Sequence, residues 1–184
     1  MKIIVTLLTG FLLLTSPSYA AEPEELSQAY FKMLSQQQWD EIAKLYDPAS
    51  LKEFRMMMSF LVEVPDEAAP RVLGGFFGPE ATKESVKALS DQAFFSFFLR
   101  GVMAQGSKQG ELDFKQVDIL GTIAESDILK HVVVRTHIGI GEMNMEAMEV
   151  ISFRKKGNHW GLLMQGKLKG LAQRIKMALE RKNR

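Results

Sequence analysis

Three polar residues stand at positions where the surrounding sequence predicts a buried sheet face. In the C-terminal half, apolar side chains recur with a period of two, the pattern of strands with one face on a core. Lys115, Thr136 and Glu149 each replace an apolar residue in one of three such segments. With turns at residues 124–127 and 141–144, Thr136 lies opposite Glu149, and Lys115 lies opposite Thr136 on its other side. We therefore expect a polar row across an otherwise apolar sheet face.

The chemistry of that row has two interpretations. Burial of a carboxylate or an ammonium group is costly unless the group is paired. The favoured interpretation is an ion pair of Lys115 with Glu149 at the wet edge of the sheet, because structural pairs are commoner than catalytic ones. The alternative is the polar floor of a pocket, in which Glu149 acts as a general base and Lys115 or Thr136 orients it. Glu149 is thus the one candidate catalytic residue, and the sequence leans away from enzymatic activity.

Tyr46 is a further candidate ligand-binding residue, in addition to the three residues of the row. It precedes Asp47 and Pro48, and the residue before a proline is pushed out of helical geometry. A helix that breaks there places Tyr46 at the mouth of a pocket, or simply ends so that Asp47 caps the next helix. Both interpretations stay open at this point.

The histidines predict neither a metal site nor a cofactor. His131 and His137 alternate with the apolar face of one predicted strand, so they lie on its outer face with Arg135 between them. At about 3.3 Å per residue they are about 20 Å apart, too far to share an ion. No carboxylate is predicted beside them. This outer face is predicted to meet solvent, or a second copy of the chain in a homodimer.

The elements that must position these residues fall into a helical half and a sheet half. Helical spacing of apolar residues predicts helices over residues 24–64, one of them capped by Ser50. The proline- and glycine-rich stretch 65–79 predicts a long connection, either a lid over a pocket or a loop tucked against the core. Thr82 and Ser90 predict two more helix starts. The predicted fold is α+β: N-terminal helices packed on a curved four-stranded antiparallel meander, with a C-terminal helix.

The first twenty residues predict export. Lys2 supplies a positive start, Ile3 to Leu14 form an apolar run, and Ser18-Tyr19-Ala20 ends in a small-x-small pattern. That order is typical of a cleaved secretory signal. The run is too short to cross a bilayer, which needs about 20 apolar residues. We predict a signal peptide over residues 1–20, a single domain over residues 21–184 and a periplasmic location.

Charge and cysteine content narrow the range of partners. Without residues 1–20 the chain carries 22 Lys and Arg against 22 Asp and Glu, which predicts no nucleic-acid binding. It has no cysteine, which excludes disulfides, thiol chemistry and cysteine metal sites. Basic residues concentrate in a predicted helix over about residues 169–184. This helix is expected either to dock on the core with a solvated basic face, or to contact an anionic membrane surface or an acidic protein.

Four short motifs carry a family resemblance. They are Ala29-Tyr30-Phe31, the run from Trp39 to Pro48, the run from Ser50 to Arg55, and the strand-turn-Trp ending from Phe153 to Trp160. Together they resemble the NTF2-like superfamily, the cystatin-like α+β cone, in its small exported bacterial branch. The resemblance implies a curved sheet folded around helices to form a cone with an internal pocket. It also implies either ligand binding or isomerase-, dehydratase- or hydrolase-type chemistry by a pocket residue.

These observations favour an exported, non-enzymatic protein that holds an apolar or amphipathic small molecule, such as a lipid tail. The expected site is a cone-shaped pocket lined by Phe, Met and Leu, since the chain contains 11 Met and 12 Phe. Such residues fill ordinary cores more often than they line sites. Two alternatives remain: an NTF2-like enzyme with Glu149 as base, and an accessory protein that binds a partner through the basic helix.

Overall fold

The structure, a computed structural model, describes residues 21–106, 112–140, 143–164 and 166–182. The predicted signal peptide lies outside the described residues. The N-terminal half contains the helices α1 (Pro23–Ser35), α2 (Trp39–Leu45), α3 (Pro48–Met57), α4 (Ala69–Phe77), α5 (Lys83–Ala88) and α6 (Asp91–Gly106), with a 3₁₀ turn at Ser59–Val62. The strands β1 (Leu112–Ser126), β2 (Leu129–Ile140), β3 (Met143–Lys156) and β4 (His159–Leu162) follow, and α7 (Gly166–Lys182) comes last.

The four strands form one antiparallel sheet in the order β1-β2-β3-β4. Each neighbouring pair is therefore consecutive in the chain, as in a meander. The predicted hairpin turn at Gly157 and Asn158 joins β3 to β4, and Gly157 has a φ of 61°, which glycine adopts without steric strain. The α+β prediction, with helices first, a four-stranded antiparallel meander and a final helix, is confirmed.

One face of the sheet is buried, and we call it the inner face. Its central side chains are fully buried: Val132, Val134, Thr136, Ile151 and Phe153. Helix α1 covers β1 and β2 on this side, and Phe31 packs its ring 6.2 Å from that of Phe114. We call the opposite side, which carries His131, Arg135 and His137, the outer face. The sheet therefore has one face on the core and one facing away from it.

Two of the three predicted helix starts are confirmed. Thr82 accepts a hydrogen bond from the Ser85 amide at 3.1 Å, and the Ser85 hydroxyl completes a capping box at the start of α5. Ser90 accepts from the Ala93 amide at the start of α6. The prediction for Ser50 is wrong, because Asp47 caps α3 instead. Pro48 suits the first turn of a helix, where its missing N–H is not needed, so the helix begins earlier than the capping-box pattern suggested.

The predicted long connection over residues 65–79 is largely helical. Pro70 lies in the first turn of α4, where a proline is tolerated, and this helix packs against α6, with Gly75 next to Gln105. Gly78 ends the helix with a φ of 104°, a conformation that other residues rarely adopt. Tertiary packing therefore overrides the low helix propensity of this glycine-rich stretch.

Helix α7 docks on the core through its apolar side. Ala172 is 4% exposed, and Leu168, Leu171, Ile175 and Leu179 pack against the core around it. Lys169 Nζ lies 2.8 Å from Glu53 Oε1 on α3. Within the described ranges, no helix combines the length and apolar character needed to cross a bilayer.

Candidate functional site

The predicted polar row is not formed, because both hairpins pair two residues away from the predicted register. Thr136 lies opposite Ala147 on one side and Val117 on the other. Glu149 lies opposite Val134. The Thr136 hydroxyl is buried and donates to the Ala147 carbonyl oxygen at 3.2 Å, so the neighbouring strand satisfies it. Thr136 and Glu149 share the inner face but do not face each other.

Lys115 lies on the outer face, away from the other predicted site residues. It falls at an irregularity between Phe114 and Gln116, where β1 has one more residue than β2. Such a β-bulge shifts the alternation of side chains from that point on. The Lys115 side chain passes over Gly139, and its Nζ donates to Asn144 Oδ1 at 2.5 Å. The predicted Lys115–Glu149 pair is therefore wrong.

Glu149 is paired with a different lysine. Lys167, in the first turn of α7, places its Nζ 2.6 Å from Glu149 Oε1. The Glu149 side chain is 15% exposed and the Lys167 side chain 68% exposed, so the ion pair stands at the boundary between core and solvent. The sequence favoured an ion pair of Glu149 with Lys115, but the structure pairs Glu149 with Lys167. A role for Glu149 as a general base stays a prediction.

Tyr46, at the end of α2, is buried beside Tyr30 of α1. Its hydroxyl makes no hydrogen bond of normal geometry within the described residues, and the rings of Tyr30 and Tyr46 pack edge to face at 6.5 Å. Burial raises the pKa of Tyr46 well above its usual value, with the neighbouring Tyr30 adding to the effect. Burial also raises the pKa of Tyr30 to about 12, and the charge of Glu149 adds to it. Tyr46 thus lies inside the core instead of at a pocket mouth.

The Tyr46–Asp47 segment is also where the helical half meets the last strand. The Asp47 amide donates to the Leu162 carbonyl oxygen at 2.9 Å, in a short parallel bridge to β4. A Cβ on Gly161 would lie 2.9 Å from Asp47 Cα, so only glycine lets the two backbones pass this closely. Asp47 caps α3 from this position, as one of the two sequence interpretations predicted.

The outer-face histidines do have acidic partners, contrary to the sequence expectation. His131 Nε2 lies 2.7 Å from Glu125 Oε2, and His137 Nε2 lies 2.9 Å from Asp118 Oδ2. Two hydrogen bonds lower the pKa of Asp118: the larger effect comes from Gln116 and the smaller one from His137. Both carboxylates lie on the neighbouring strand β1, so only the pairing of β1 with β2 brings them beside the histidines. In the part of the chain that the structure describes, no three histidine or carboxylate side chains converge as a metal site requires.

An apolar groove runs along the helical half of the molecule, and we call it the α4–α6 groove. It consists of two adjoining cavities of about 340 and 440 Å³ that share Phe77, Gly78 and Phe97 in their walls. The smaller cavity extends toward Pro79 and α5, and the larger lies between the C-terminal end of α4 and one face of α6. Sites for small ligands in proteins are of this size and are mostly apolar.

Close packing of α4 on α6 shapes the larger cavity. Gly101 brings the backbones together: a Cβ there would lie 2.7 Å from Phe76 Cα. The Phe76 ring stacks on that of Phe98 at 5.4 Å, and Gln105 Nε2 donates to the Gly75 carbonyl oxygen at 2.6 Å. Glycines along the helix pair therefore leave backbone where side chains would otherwise fill the space.

Phe97 and Arg100 were not among the predicted site residues. Of the four phenylalanines in α6, Phe97 is 36% exposed whereas Phe94, Phe95 and Phe98 are buried. The available sign was the spacing: Phe97, Gly101 and Ala104 recur at intervals of four and three, so they share one helix face. That face lines the groove.

Comparison with known proteins gives no family for this chain. No family model matches it, and no curated protein matches it. One similar solved structure is the solution structure of RPA3114, a SEC-C motif containing protein from Rhodopseudomonas palustris. The identity is 15% over 79% of this chain and 77% of that chain, with a TM-score of 0.41.

The predicted NTF2-like resemblance is therefore wrong. No family model, NTF2-like or other, matches the chain. The motifs that suggested it are local packing features of this fold. The run from Trp39 to Pro48 is α2 followed by the capped start of α3, and Phe153 to Trp160 is the β3–β4 hairpin. Such helix breaks and hairpins occur in many unrelated folds.

Proposed function

We propose that this protein is an exported, non-enzymatic binding protein that holds an apolar or amphipathic small molecule in the α4–α6 groove. The observation that carries the proposal is the pair of adjoining cavities, which meet at the half-exposed ring of Phe97. Burying the apolar part of a ligand against this ring and Phe77 removes apolar surface of both molecules from water.

The cavity walls support binding over catalysis. Phe76, Phe77 and Phe97 offer flat apolar surface, and the glycines of α4 let a ligand approach the backbone. Glu149, the candidate base, lies on the sheet and is paired with Lys167, so it does not line this groove. A ligand here meets mainly apolar surface with a few polar groups at its rim, the composition of a small-molecule binding site.

The proposal is tested by ligand recovery and by a fluorescent probe. Native mass spectrometry of protein purified from its own host's periplasm, followed by denaturing extraction, reports a co-purifying molecule. In parallel, titration with N-phenyl-1-naphthylamine, an uncharged apolar fluorophore, compares the wild type with Phe97→Ala. If the probe covers about 50 Å² of the ring at about 25 cal/mol per Å², the variant binds about tenfold more weakly.

A matched control variant separates the groove from other exposed apolar surface. Ile123 is 60% exposed on the outer face, so Ile123→Ala removes a comparable apolar group away from the groove. We expect its probe affinity to equal that of the wild type. Equal weakening by the two variants, or no weakening by Phe97→Ala, would contradict the proposal.

A further inference from the structure

We propose that the molecule held in the α4–α6 groove is an amphiphile with a carboxylate head, and that Arg100 binds this head. The inference rests on the proposed function and adds the chemical class of the ligand and its orientation. It follows from the position of Arg100 in the wall of the groove, its incomplete pairing and the distribution of the other charges.

Arg100 joins the apolar wall to solvent. Its guanidinium carbon lies 5.3 Å from the centre of the Phe97 ring, a cation–π arrangement that holds the group over the groove. The side chain lines the larger cavity and is 51% exposed. An arginine placed in this way offers an apolar stem to a ligand tail and charged donors to a ligand head.

The charge of Arg100 is only loosely compensated. Its ion pair within the described residues is with Asp40, and Nη2 to Oδ2 measures 3.6 Å, longer than a hydrogen bond. Asp40 also accepts a hydrogen bond from the Ser96 hydroxyl through its other oxygen. A guanidinium carries five N–H donors in a planar fork that matches a carboxylate. Arg100 can therefore receive a carboxylate with two parallel hydrogen bonds without first breaking a strong pair.

The remaining charges along the groove set the orientation. Glu80 lines the smaller cavity at the opposite end, where a second negative charge would be repelled. The C-terminal end of α4 also lines the larger cavity, and the partial negative charge of a helix C-terminus disfavours an anion unless a cation such as Arg100 is beside it. The head therefore lies at Arg100, and the tail passes Phe97 and Phe77 toward Pro79.

The experiment compares three ligands with the same tail and different heads. Dodecanoate and dodecyltrimethylammonium, each below its micellar concentration, and dodecanol, below its solubility limit, displace N-phenyl-1-naphthylamine from the wild type. Dodecanoate is expected to bind about tenfold more tightly than dodecanol, as a charge-assisted hydrogen bond implies, and the cationic ligand most weakly. Arg100→Gln should bring dodecanoate to the affinity of dodecanol and leave dodecanol unchanged, and Arg100→Lys should fall between.

Two further variants sharpen the test. Asp40→Asn removes the competing carboxylate, so dodecanoate should bind more tightly than to the wild type by about threefold. Arg154→Gln removes an arginine from an exposed position of β3 and should change nothing. Equal affinity for the three heads in the wild type would overturn the role of Arg100 while leaving the groove as a binding site. Failure of every ligand and of the fluorophore to bind would overturn the proposed function itself, and preference for the cationic head would overturn the inference outright.

Discussion

Gly101→Ala is the sharpest single test of how the groove is built. The added Cβ would lie 2.7 Å from the Cα and carbonyl carbon of Phe76, and closer still to its oxygen. Ordinary Cβ contacts begin near 3.4 Å, so α4 must retreat from α6 by about 1 Å. The contacted atoms are backbone atoms of a helix, so they cannot turn aside as the end of a side chain would. The strain is therefore shared by the whole interface between α4 and α6.

The expected change in the free energy of unfolding of Gly101→Ala is the sum of two opposing effects. Overpacking a well-packed interior costs about 1–3 kcal/mol, and here it also disturbs the stack of Phe76 on Phe98. Against this, replacing glycine by alanine within a helix stabilises it by about 1 kcal/mol. Because the clash is with helix backbone, the cost falls in the upper part of that range, about 2–3 kcal/mol, so we expect a net loss of about 1–2 kcal/mol in the free energy of unfolding. For a chain of this size, this corresponds to a fall of about 3–6 °C in Tm.

The assay is urea and thermal unfolding followed by circular dichroism, with Gly170→Ala as the matched control. Gly170 also lies within a helix, α7, and a Cβ there would meet no atom within 4 Å. This control should be more stable than the wild type by about 0.5–1 kcal/mol, since only the helix propensity changes. If Gly101→Ala stabilised the protein as much as Gly170→Ala, the close approach of α4 and α6 would be refuted. The affinity of Gly101→Ala for N-phenyl-1-naphthylamine should also differ from that of the wild type, because its groove is wider.

Two predictions concern the junction of the helical half with the sheet. Asp47→Ala removes the helix cap that accepts hydrogen bonds from the amides of Ala49 and Ser50. It should lower the free energy of unfolding, measured by urea titration, by about 1–2 kcal/mol. An unchanged urea midpoint would mean that the cap contributes nothing. The raised pKa values of Tyr30 and Tyr46 lead to a second prediction, for the behaviour of the protein at alkaline pH. Folded protein that lacks residues 1–20, and with them Tyr19, should show little phenolate absorbance at pH 10–11. Its stability should fall as pH rises from the usual tyrosine pKa of about 10 toward about 12, because only the unfolded chain then releases the protons. Phenolate absorbance of this folded protein at pH 10 would contradict the burial of the two tyrosines.

The sequence predicted the sheet face of each side chain better than it predicted which residues pair across neighbouring strands. The period of two places Val134, Thr136 and Glu149 on the inner face, where the structure has them. The predicted pairing of Thr136 with Glu149 differs from the observed one by two residues. A shift of two preserves the face of every side chain, so the hydrophobic pattern is satisfied equally by both registers. The two registers differ only in which residues pair across β2 and β3.

Bulges in β1 explain the remaining error in the sheet. The alternation that places Lys115 on the predicted buried face also places Ile123 there, but Ile123 is 60% exposed and lies opposite His131 on the outer face. The irregularity between Ile119 and Gly121 adds one residue, and an odd shift moves every later side chain to the other face. Lys115 was misplaced by a similar irregularity. A bulge depends on pairing across strands, so a count of alternating residues in one strand does not reveal it.

The α4–α6 groove could not be predicted from the sequence, for a different reason. Its wall is formed where α4 crosses α6, and the crossing depends on contact between Gly101 and Phe76, residues that are far apart in the sequence. The glycine-rich segment was recognised as unusual, but its helical conformation follows from packing and not from propensity. By contrast, the caps at Thr82 and Ser90 involve residues three apart, and the sequence predicted both.

The bridge between Asp47 and Leu162 also bears on the order in which the molecule assembles. A chain is synthesised from its N-terminus, so the Asp47 amide emerges long before the carbonyl that accepts its hydrogen bond. Any chain that ends before β4 leaves that amide to water and leaves the start of α3 without its neighbouring strand. Helices α2 and α3 therefore reach their final environment only when almost the whole polypeptide is present. Completion of the N-terminal half is thus a late event that depends on the last strand of the sheet.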